Sequence, residues 1–254
     1  MAEGFILGII QGITEWLPVS SEGILTLVGI KFFGRDLAGS ISMAIFLHMG
    51  TFFSALIYFR KDVVKIFRPE NKKILRFLVL SSLVTAAVAA PLLFFAMDYF
   101  SEISLVFIVA FVGLMLVFTG LAQFKKPETY FRNAFDLKNK DGLVAGVWQG
   151  LAVLPGISRS GFTIAVLLLR KFRDSEALRL SFLMSLPVVL GANAVLALKG
   201  FTLSLGFGSS VAALLTAFVV GFLTIGALLK ISRKINFGWF AIFFGVLTLL
   251  SLLV

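Results

Sequence analysis

The chain has 254 residues, of which 59% are apolar and only 14% are charged, and its mean hydropathy is +1.03. Because soluble globular domains average about 25% charged residues, this composition predicts an integral membrane protein. The net charge of +10 does not indicate nucleic-acid binding, since most Lys and Arg residues cluster beside apolar segments, where they mark cytoplasmic loops. The absence of cysteine excludes disulfides and thiolate chemistry, and the single histidine excludes a multi-His metal site.

Six apolar runs are long enough to span a bilayer, because a hydrocarbon core of about 30 Å takes roughly 20 helical residues to cross. We therefore predict an all-α integral membrane protein with six transmembrane helices. In chain order the predicted spans are 38–59, 74–97, 103–124, 176–199, 211–230 and 237–254. The basic segments 60–76 and 125–140 are predicted to be cytoplasmic, so the loop 98–102, which has no Lys or Arg, is predicted to be external.

Two further segments, 4–30 and 143–169, do not fit as simple spans. Within them the stretch Gly8–Gly23 recurs without a gap 138 residues later as Gly146–Gly161, with five identical residues among sixteen. Each copy has a short apolar run, a break that contains proline, serine and glycine, and a second short apolar run. Runs this short predict re-entrant helical hairpins, which enter and leave the membrane on one side.

The hairpins and spans together predict an inverted repeat. We interpret residues 1–254 as one polytopic domain, with a first repeat in 1–124 and a second in 142–254. Each repeat has one hairpin and three spans, and because three is odd, the two repeats have opposite orientations. Hairpin 4–30 then enters from outside and hairpin 143–169 from the cytoplasm, so that their tips can meet near the midplane. Transporters of this architecture have their binding sites at such repeat interfaces.

The first hairpin has a polar break. Glu15 stands one turn after Gln11, so both side chains are expected on one face of a short helix. Leu17 precedes a proline and is therefore predicted to end that helix. Ser20 and Ser21 follow in the break and are suited to cap the next helix.

The second hairpin has a cationic break with Ser158, Arg159 and Ser160, followed by Thr163. A charge at the bilayer centre costs about 3 kcal/mol even on lenient insertion scales, so Arg159 is expected to share one polar cavity with Glu15. An arginine beside serine-capped helix N-termini suits a phosphate. The alternative is purely structural, with the serines as helix caps and Glu15–Arg159 as an ion pair that joins the hairpins.

Motifs in these two breaks resemble a known family. Gln-Gly-Ile-Thr-Glu-Trp-Leu-Pro-Val-Ser-Ser at 11–21 and Pro-Gly-Ile-Ser-Arg-Ser-Gly-Phe-Thr at 155–163 are similar to the signature motifs of undecaprenyl pyrophosphate phosphatase, the bacitracin-resistance family. Leu-His-Met-Gly-Thr at 47–51 also resembles that family, and the resemblance covers nearly the whole chain. It implies a multi-pass enzyme of a prokaryotic plasma membrane that removes the terminal phosphate from a C55 polyprenyl diphosphate. The site would open to the outer face, and the product would be the recycled lipid carrier of peptidoglycan synthesis.

The resemblance also assigns roles by position. Glu15 matches the essential motif glutamate, Ser21 the serine proposed as nucleophile and Arg159 the phosphate-binding arginine, and these three are the predicted catalytic residues. Gln11 matches a position that is Glu or Gln. The predicted substrate-binding residues are Gln11, Ser20, Glu22, His48, Ser158, Ser160 and Thr163. Glu15 is also the candidate ligand of a divalent cation, Mg²⁺ or Ca²⁺.

One position departs from the family pattern. The family reads Ser-Ser-x-Gly-His, whereas Ser21 is followed here by Glu22, Gly23 and Ile24, so that Ile24 stands where a histidine is expected. Glu22 and His48 are the two alternatives for the missing proton-transfer group. His48 lies midway along a predicted span and is equally suited to a hydrogen bond between helices.

Two functions stay open on these observations. The first is hydrolysis of a polyprenyl diphosphate in the bilayer, without nucleic acid as a partner and with a homodimer as one option. The second is a transporter or flippase of polyprenyl phosphate or another amphiphilic anion, because inverted repeats around a midplane anion site are typical of transporters. Release of inorganic phosphate distinguishes the two.

Overall fold

The computed structural model describes residues 1–17, 19–100, 105–122, 131–154, 156–198, 205–232, 238–250 and 252. Over these ranges the chain is almost entirely helical, as predicted. The helices are α1 (Ala2–Thr14), α2 (Ser21–Phe33), α3 (Leu37–Tyr58), α4 (Arg60–Ile66), α5 (Lys72–Phe100), α6 (Leu105–Ala122), α7 (Asn139–Leu151), α8 (Arg159–Leu169), α9 (Asp174–Leu198), α10 (Phe207–Ser232) and α11 (Gly238–Leu250). Short 3-10 helices lie at Pro69–Asn71 and Ala134–Asp136.

Among the described residues, four helical segments are long and apolar enough to cross a membrane. They are Leu37–Tyr58, Pro69–Leu92, Asp174–Leu198 and Phe207–Ala227. These segments correspond to four of the predicted spans, and they identify a multi-pass membrane protein. The other two predicted spans, 103–124 and 237–254, contain α6 and α11. Parts of both spans and of the predicted loops 98–102 and 125–140 lie outside the described residues, so six spans stay a prediction.

Each repeated segment folds as two short helices separated by a non-helical break. In the first segment α1 and α2 flank residues 15–20, and in the second α7 and α8 flank residues 152–158. The helix–break–helix pattern is therefore present in both segments. Their re-entrant path, their opposite sidedness and the repeat boundaries 1–124 and 142–254 stay predictions.

The first of these helices ends earlier than the sequence predicts. The proline rule placed its end at Leu17, whereas α1 ends at Thr14. The Leu17 N–H bonds to the Thr14 carbonyl oxygen at 3.2 Å, an i→i−3 bond that tightens the last turn of a helix. The chain therefore leaves the α-helical pattern before the proline, which itself lies outside the described residues.

The first helix of each segment packs closely against a long helix of the other half of the chain. α1 packs against α10, and α7 packs against α5. Three glycines on each helix line these contacts, Gly4, Gly8 and Gly12 on α1 and Gly142, Gly146 and Gly150 on α7. A Cβ atom at Gly8 would lie 2.5 Å from the Ala213 carbonyl oxygen, and one at Gly146 would lie 2.7 Å from that of Ser81. Such close backbone approach through small residues is typical of membrane helices.

An acidic residue near the start of each of these helices pairs with arginine. Glu3 accepts a hydrogen bond from Arg35 Nε at 2.7 Å, and Asp141, 138 residues later, pairs with both Arg132 and Arg170. Asp141 is completely buried. Burial raises the pKa of its carboxyl, but hydrogen bonds from Arg132 and Arg170 outweigh burial and hold the pKa below its usual value. The charged carboxylate therefore fixes the base of the second segment at neutral pH.

Candidate active site

The two breaks enclose one small polar cavity. It measures about 30 Å³ and lies between residues of both breaks and of α3. Its polar lining residues are Glu15, Ser20, Ser21, Glu22, His48, Ser158, Arg159 and Ser160. Eight of the ten predicted site residues thus line one cavity, although the two motifs lie 138 residues apart in the chain.

Packing fixes the backbone that presents Glu15 to the cavity. Glu15 keeps helical backbone angles directly after α1. The next residue, Trp16, is buried and donates a hydrogen bond from its indole N–H to the Gly221 carbonyl oxygen at 2.9 Å. Its ring packs edge-on against Phe182, with centroids 5.4 Å apart. A buried indole whose donor is satisfied is held in one position, so the carboxylate stands on a rigid support.

The Glu15 carboxylate joins side chains from several elements. One oxygen, Oε1, forms an ion pair with Nη2 of Arg159, the first residue of α8. The other oxygen, Oε2, accepts hydrogen bonds from Ser21 Oγ at 2.9 Å and from Gln11 Nε2 at 3.1 Å, and lies 3.2 Å from His48 Nε2. The predicted association of Glu15 with Arg159 is therefore present. Gln11 does not line the cavity but shares a helix face with Glu15, as its spacing predicted.

His48 reaches the cavity from α3 in a defined orientation. Its Nδ1 lies 2.6 Å from the Ala44 carbonyl oxygen. Because that oxygen can only accept, Nδ1 must hold a proton. The opposite ring nitrogen, Nε2, faces Glu15. The imidazole can therefore exchange a proton with the carboxylate or form an ion pair with it.

The position of the family histidine faces an apolar cluster. Ile24, which occupies it, packs with Leu17 and Val19. Glu22 lines the cavity, but its carboxylate makes no hydrogen bond or ion pair with the residues that the structure describes. Of the two alternatives that the sequence left open, His48 is the one in direct contact with Glu15.

Serine caps join the two breaks to each other. Ser20 Oγ accepts a hydrogen bond from the Gly23 N–H at 3.1 Å, as a cap of α2, and a second from the Gly156 N–H at 3.2 Å. Ser158 Oγ accepts from the Gly161 N–H at 3.1 Å and caps α8. A Cβ atom at Gly23 would lie 2.9 Å from the Gly156 nitrogen, so the two breaks touch through their backbones. Ser20 and Ser158 are accordingly engaged in structure as well as lining the cavity.

Arg159 has a buried donor without an acceptor. Its Nη2 faces Glu15, while its Nη1 is buried and makes no hydrogen bond within the described part of the chain. An unmatched buried donor is costly, more so on a charged group. Phosphate oxygens match the planar donor fork of a guanidinium. The free Nη1 donor is therefore suited to an anionic group that enters the cavity.

Protein groups surround the Glu15 carboxylate in the structure, and a divalent cation on Glu15 stays a prediction. Two carboxylate oxygens offer about four lone-pair directions, and four groups already face them, from Gln11, Ser21, His48 and Arg159. Two of these groups are cations or can become so. Across the described ranges, no three His, Asp or Glu side chains converge as metal ligands.

The cavity is small as it stands, with a volume of about 30 Å³. Entry of a phosphate group therefore requires side chains to separate. The Glu15–Arg159 ion pair is suited to open in this way. An entering phosphate attracts the Arg159 guanidinium and repels the Glu15 carboxylate.

Thr163 and Thr51 make contacts that the sequence did not predict. Thr163 does not line the cavity, because its hydroxyl bonds back to the Arg159 carbonyl oxygen at 2.8 Å and lies 2.6 Å from Ser181 Oγ. The hydroxyl therefore supports α8, and contact of Thr163 with a substrate stays a prediction. Thr51 was not predicted as a site residue, yet its Oγ1 accepts a hydrogen bond from Gln11 Nε2 at 3.1 Å. Thr51 belongs to the 47–51 segment that resembles the family, so the sequence contained a pointer to it.

The second repeated segment has the same glutamine–threonine hydrogen bond as the first, but it lacks the carboxylate. Gln149, equivalent to Gln11, donates to Thr85 Oγ1 at 3.1 Å, as Gln11 does to Thr51. The position equivalent to Glu15 is Val153. One half therefore provides the carboxylate, and the other provides the arginine.

Comparison with known proteins gives a consistent result. Residues 4–250 match the family model described as bacitracin resistance protein BacA. A protein named undecaprenyl-diphosphatase from Methanococcoides burtonii is 42% identical over 266 residues, which cover 99% of this chain and 98% of the relative. Proteins of the same name from Methanothrix thermoacetophila and Haloarcula marismortui are each 36% identical. The alignments cover 97% and 94% of this chain, and 95% and 93% of those relatives.

Proposed function

The chain belongs to the BacA family of bacitracin-resistance proteins, and from this premise we propose that the Glu15 cavity removes the terminal phosphate from a C55-type polyprenyl diphosphate. The protein is a membrane hydrolase of the undecaprenyl-diphosphatase kind, a lipid diphosphate phosphatase that recycles a lipid carrier. One observation supports the proposed site most strongly. The Glu15 carboxylate meets the Arg159 guanidinium and the Ser21 hydroxyl in one cavity, across two motifs far apart in sequence.

Arg159 is proposed to bind the terminal phosphate. Its buried Nη1 lacks an acceptor among the described residues, and it stands at the first position of α8, where helix N–H groups favour an anion. When phosphate arrives, the guanidinium turns from Glu15 Oε1 to the phosphate oxygens. This exchange frees Glu15 Oε1, while Oε2 stays within reach of the Ser21 hydroxyl.

Ser21 is proposed as the nucleophile. Its Oγ attacks the terminal phosphorus while the bond from that phosphorus to the bridging oxygen breaks, and the polyprenyl monophosphate leaves. The hydroxyl proton passes to Glu15 Oε2, which lies 2.9 Å from Ser21 Oγ. Water then attacks the phosphoserine, inorganic phosphate leaves, and the serine regains its proton. Positioning and charge neutralisation account for most catalysis of phosphoryl transfer, and this set of residues provides both.

His48 is proposed to replace the histidine that the motif lacks at Ile24. Its Nε2 contacts the same Glu15 oxygen that Ser21 contacts, while its Nδ1–H is held by the Ala44 carbonyl oxygen. His48 thereby keeps the carboxylate in place after Arg159 has turned to the phosphate. It acts through Glu15 as a positioning residue.

A divalent cation enters this proposal only as a ligand of the diphosphate. Mg²⁺ commonly binds through substrate phosphates and retains several waters, and before substrate binds, four protein groups face the Glu15 oxygens. No step of the proposed chemistry uses the cation. Loss of phosphate release in EDTA, restored by Mg²⁺ or Ca²⁺, would support a cation on the substrate.

The proposed site opens to the outer face of a prokaryotic plasma membrane. The support is the charge pattern, in which the basic segment 60–76 follows span 38–59 and leaves segment 4–30 on the outer side. The transporter alternative is not favoured, because the relatives that match nearly the whole chain are named as phosphatases.

The proposal is tested by following inorganic phosphate released by the purified protein. Undecaprenyl diphosphate and farnesyl diphosphate serve as substrates, and undecaprenyl monophosphate serves as the control that lacks a terminal anhydride phosphate. We expect release from the diphosphates alone, and a Ser21→Ala variant without turnover. Full activity of Ser21→Ala would replace the phosphoserine with direct attack by water, and absence of release by the wild type would overturn the proposed function.

A further inference from the structure

A second and larger groove lies on the outside of the protein between α5 and α7. Its volume is about 510 Å³, far greater than that of the active-site cavity. One end is polar, with Lys72, Arg76 and Asn139. The rest is apolar and includes Val79, Leu83 and Leu143.

The register of α5 gives the groove a direction. Lys72, Arg76, Val79 and Leu83 follow each other at spacings of three or four residues, so they form one stripe along the helix. From Lys72 to Leu83 the stripe rises by about 16 Å at 1.5 Å per residue. One leaflet of the hydrocarbon core is about 15 Å deep. The length of the groove therefore matches one leaflet, and its charged end adjoins the basic segment 60–76.

The charges at the polar end are not matched by protein groups. Lys72 and Arg76 are exposed and form no ion pair with described residues, and they belong to the basic segment 60–76. The nearby buried acid, Asp141, is already paired with two arginines. A groove with two unpaired cations above an apolar floor is complementary to one molecule with an anionic head and a hydrocarbon chain.

We propose that this groove binds one anionic phospholipid of the leaflet next to segment 60–76. The headgroup phosphate lies between Lys72 and Arg76, with the Asn139 amide as a further donor, and one hydrocarbon chain lies along Val79, Leu83 and Leu143. Basic pockets between membrane helices bind anionic headgroups in this manner. The site is separate from the Glu15 cavity and does not depend on the proposed reaction.

The test is a lipid titration of the purified, delipidated full chain, followed by native mass spectrometry. Phosphatidylglycerol and phosphatidylcholine of identical chains are the probes. We expect one phosphatidylglycerol to bind more tightly than phosphatidylcholine, and K72Q/R76Q to weaken that binding by about tenfold or more, since each basic residue near anionic lipid contributes to affinity. The control variant K61Q/K65Q removes the same charge from α4, away from the groove, and should bind like the wild type.

A second variant tests the apolar floor without any change of charge. Leu143→Trp fills the groove and should weaken phosphatidylglycerol binding while the variant remains monodisperse. Equal losses of phosphatidylglycerol affinity in K72Q/R76Q and K61Q/K65Q would show that binding depends on the overall surface charge. That result would overturn the proposal. Equal binding of both lipids, or displacement of phosphatidylglycerol by equimolar undecaprenyl monophosphate, would also overturn it, the latter because the groove would then belong to the product.

Discussion

At the scale of single residues, the site depends on the partners of one carboxylate. Arg159 occupies one oxygen of Glu15, and Ser21, Gln11 and His48 share the other. The structural alternative, an ion pair that only joins the hairpins, explains the contact between Glu15 and Arg159. It does not explain why a serine hydroxyl and an imidazole also converge on the same oxygen.

Replacing Glu15 by Gln should abolish turnover. The amide keeps the size of the side chain but can neither accept the Ser21 proton nor balance the charge of Arg159. We expect kcat to fall by about 10²-fold or more, the usual effect of removing a general base, measured as phosphate release from undecaprenyl diphosphate. Glu70→Gln, on an exposed glutamate, is the matched control, and comparable rates in the two variants would exclude Glu15 as the base.

His48→Ala should reduce turnover far more than Glu22→Gln does. His48 touches the Glu15 oxygen that Ser21 uses, whereas Glu22 makes no hydrogen bond or ion pair with the described residues. We expect a loss of about 10²-fold for His48→Ala and less than about tenfold for Glu22→Gln. The pH dependence of kcat/KM should change with His48→Ala, and His48→Gln should restore part of the rate because its amide can still donate a hydrogen bond to Glu15. The opposite ranking would assign the missing histidine's role to Glu22.

Prediction of single contacts succeeded where a large energetic cost left one arrangement favoured. Leaving Glu15 and Arg159 apart at membrane depth is expensive, and the two are paired. The energetic cost of buried charges does not reveal how a helix is rotated about its axis. The contact of His48 with Glu15 was therefore only one of two alternatives. Thr163 lies outside the cavity lining, because threonine can bond to the carbonyl four residues before it, as it does with Arg159.

At the scale of elements, the glycine stripes and terminal ion pairs recur at the repeat spacing. The breaks were predictable, because proline, serine and glycine interrupt two otherwise apolar runs. The boundaries were less so, since α1 ends at Thr14 through a single i→i−3 hydrogen bond that no residue type demands. The packing partner of each helix was not predictable either. Small residues indicate that another helix packs closely, but they do not indicate which helix it is.

Asp141→Asn should destabilise the protein by about 3 kcal/mol or more, because removing one partner leaves buried charges uncompensated. Glu3→Gln, the matched change at the equivalent position, should cost at most about 1 kcal/mol because that pair is partly exposed. Unfolding in detergent, followed by circular dichroism, measures both.

The pKa of Asp141 is lowered in the folded protein, so its stabilisation is fully present above the unfolded value of about 3.9. It is lost as the pH falls through the lowered folded value. The difference in the free energy of unfolding between Asp141→Asn and the wild type should therefore persist at neutral pH. It should narrow only in strong acid. Equal stability of Asp141→Asn and Glu3→Gln at neutral pH would contradict this account.

At the scale of the whole molecule, the prediction that remains to be tested is opposite sidedness of the two hairpin segments. Cysteines introduced into this cysteine-free chain at Lys31 and Lys140 should react with a membrane-impermeant maleimide from opposite sides of the membrane. Lys61→Cys, in the basic segment 60–76, should label from the same side as Lys140→Cys. Labelling of Lys31→Cys and Lys140→Cys from one side would refute the inverted repeat.

The most direct test of the central claim is phosphate release by purified wild-type protein and by Arg159→Ala on undecaprenyl diphosphate. Arg173→Ala, on an exposed arginine beyond α8, makes the same substitution away from the cavity. The account predicts release by the wild type and by Arg173→Ala, and a loss of about 10³-fold or more in Arg159→Ala, because that cation is proposed to hold the transferred phosphate. Wild-type protein that releases no phosphate, or Arg159→Ala that is as active as Arg173→Ala, would contradict it.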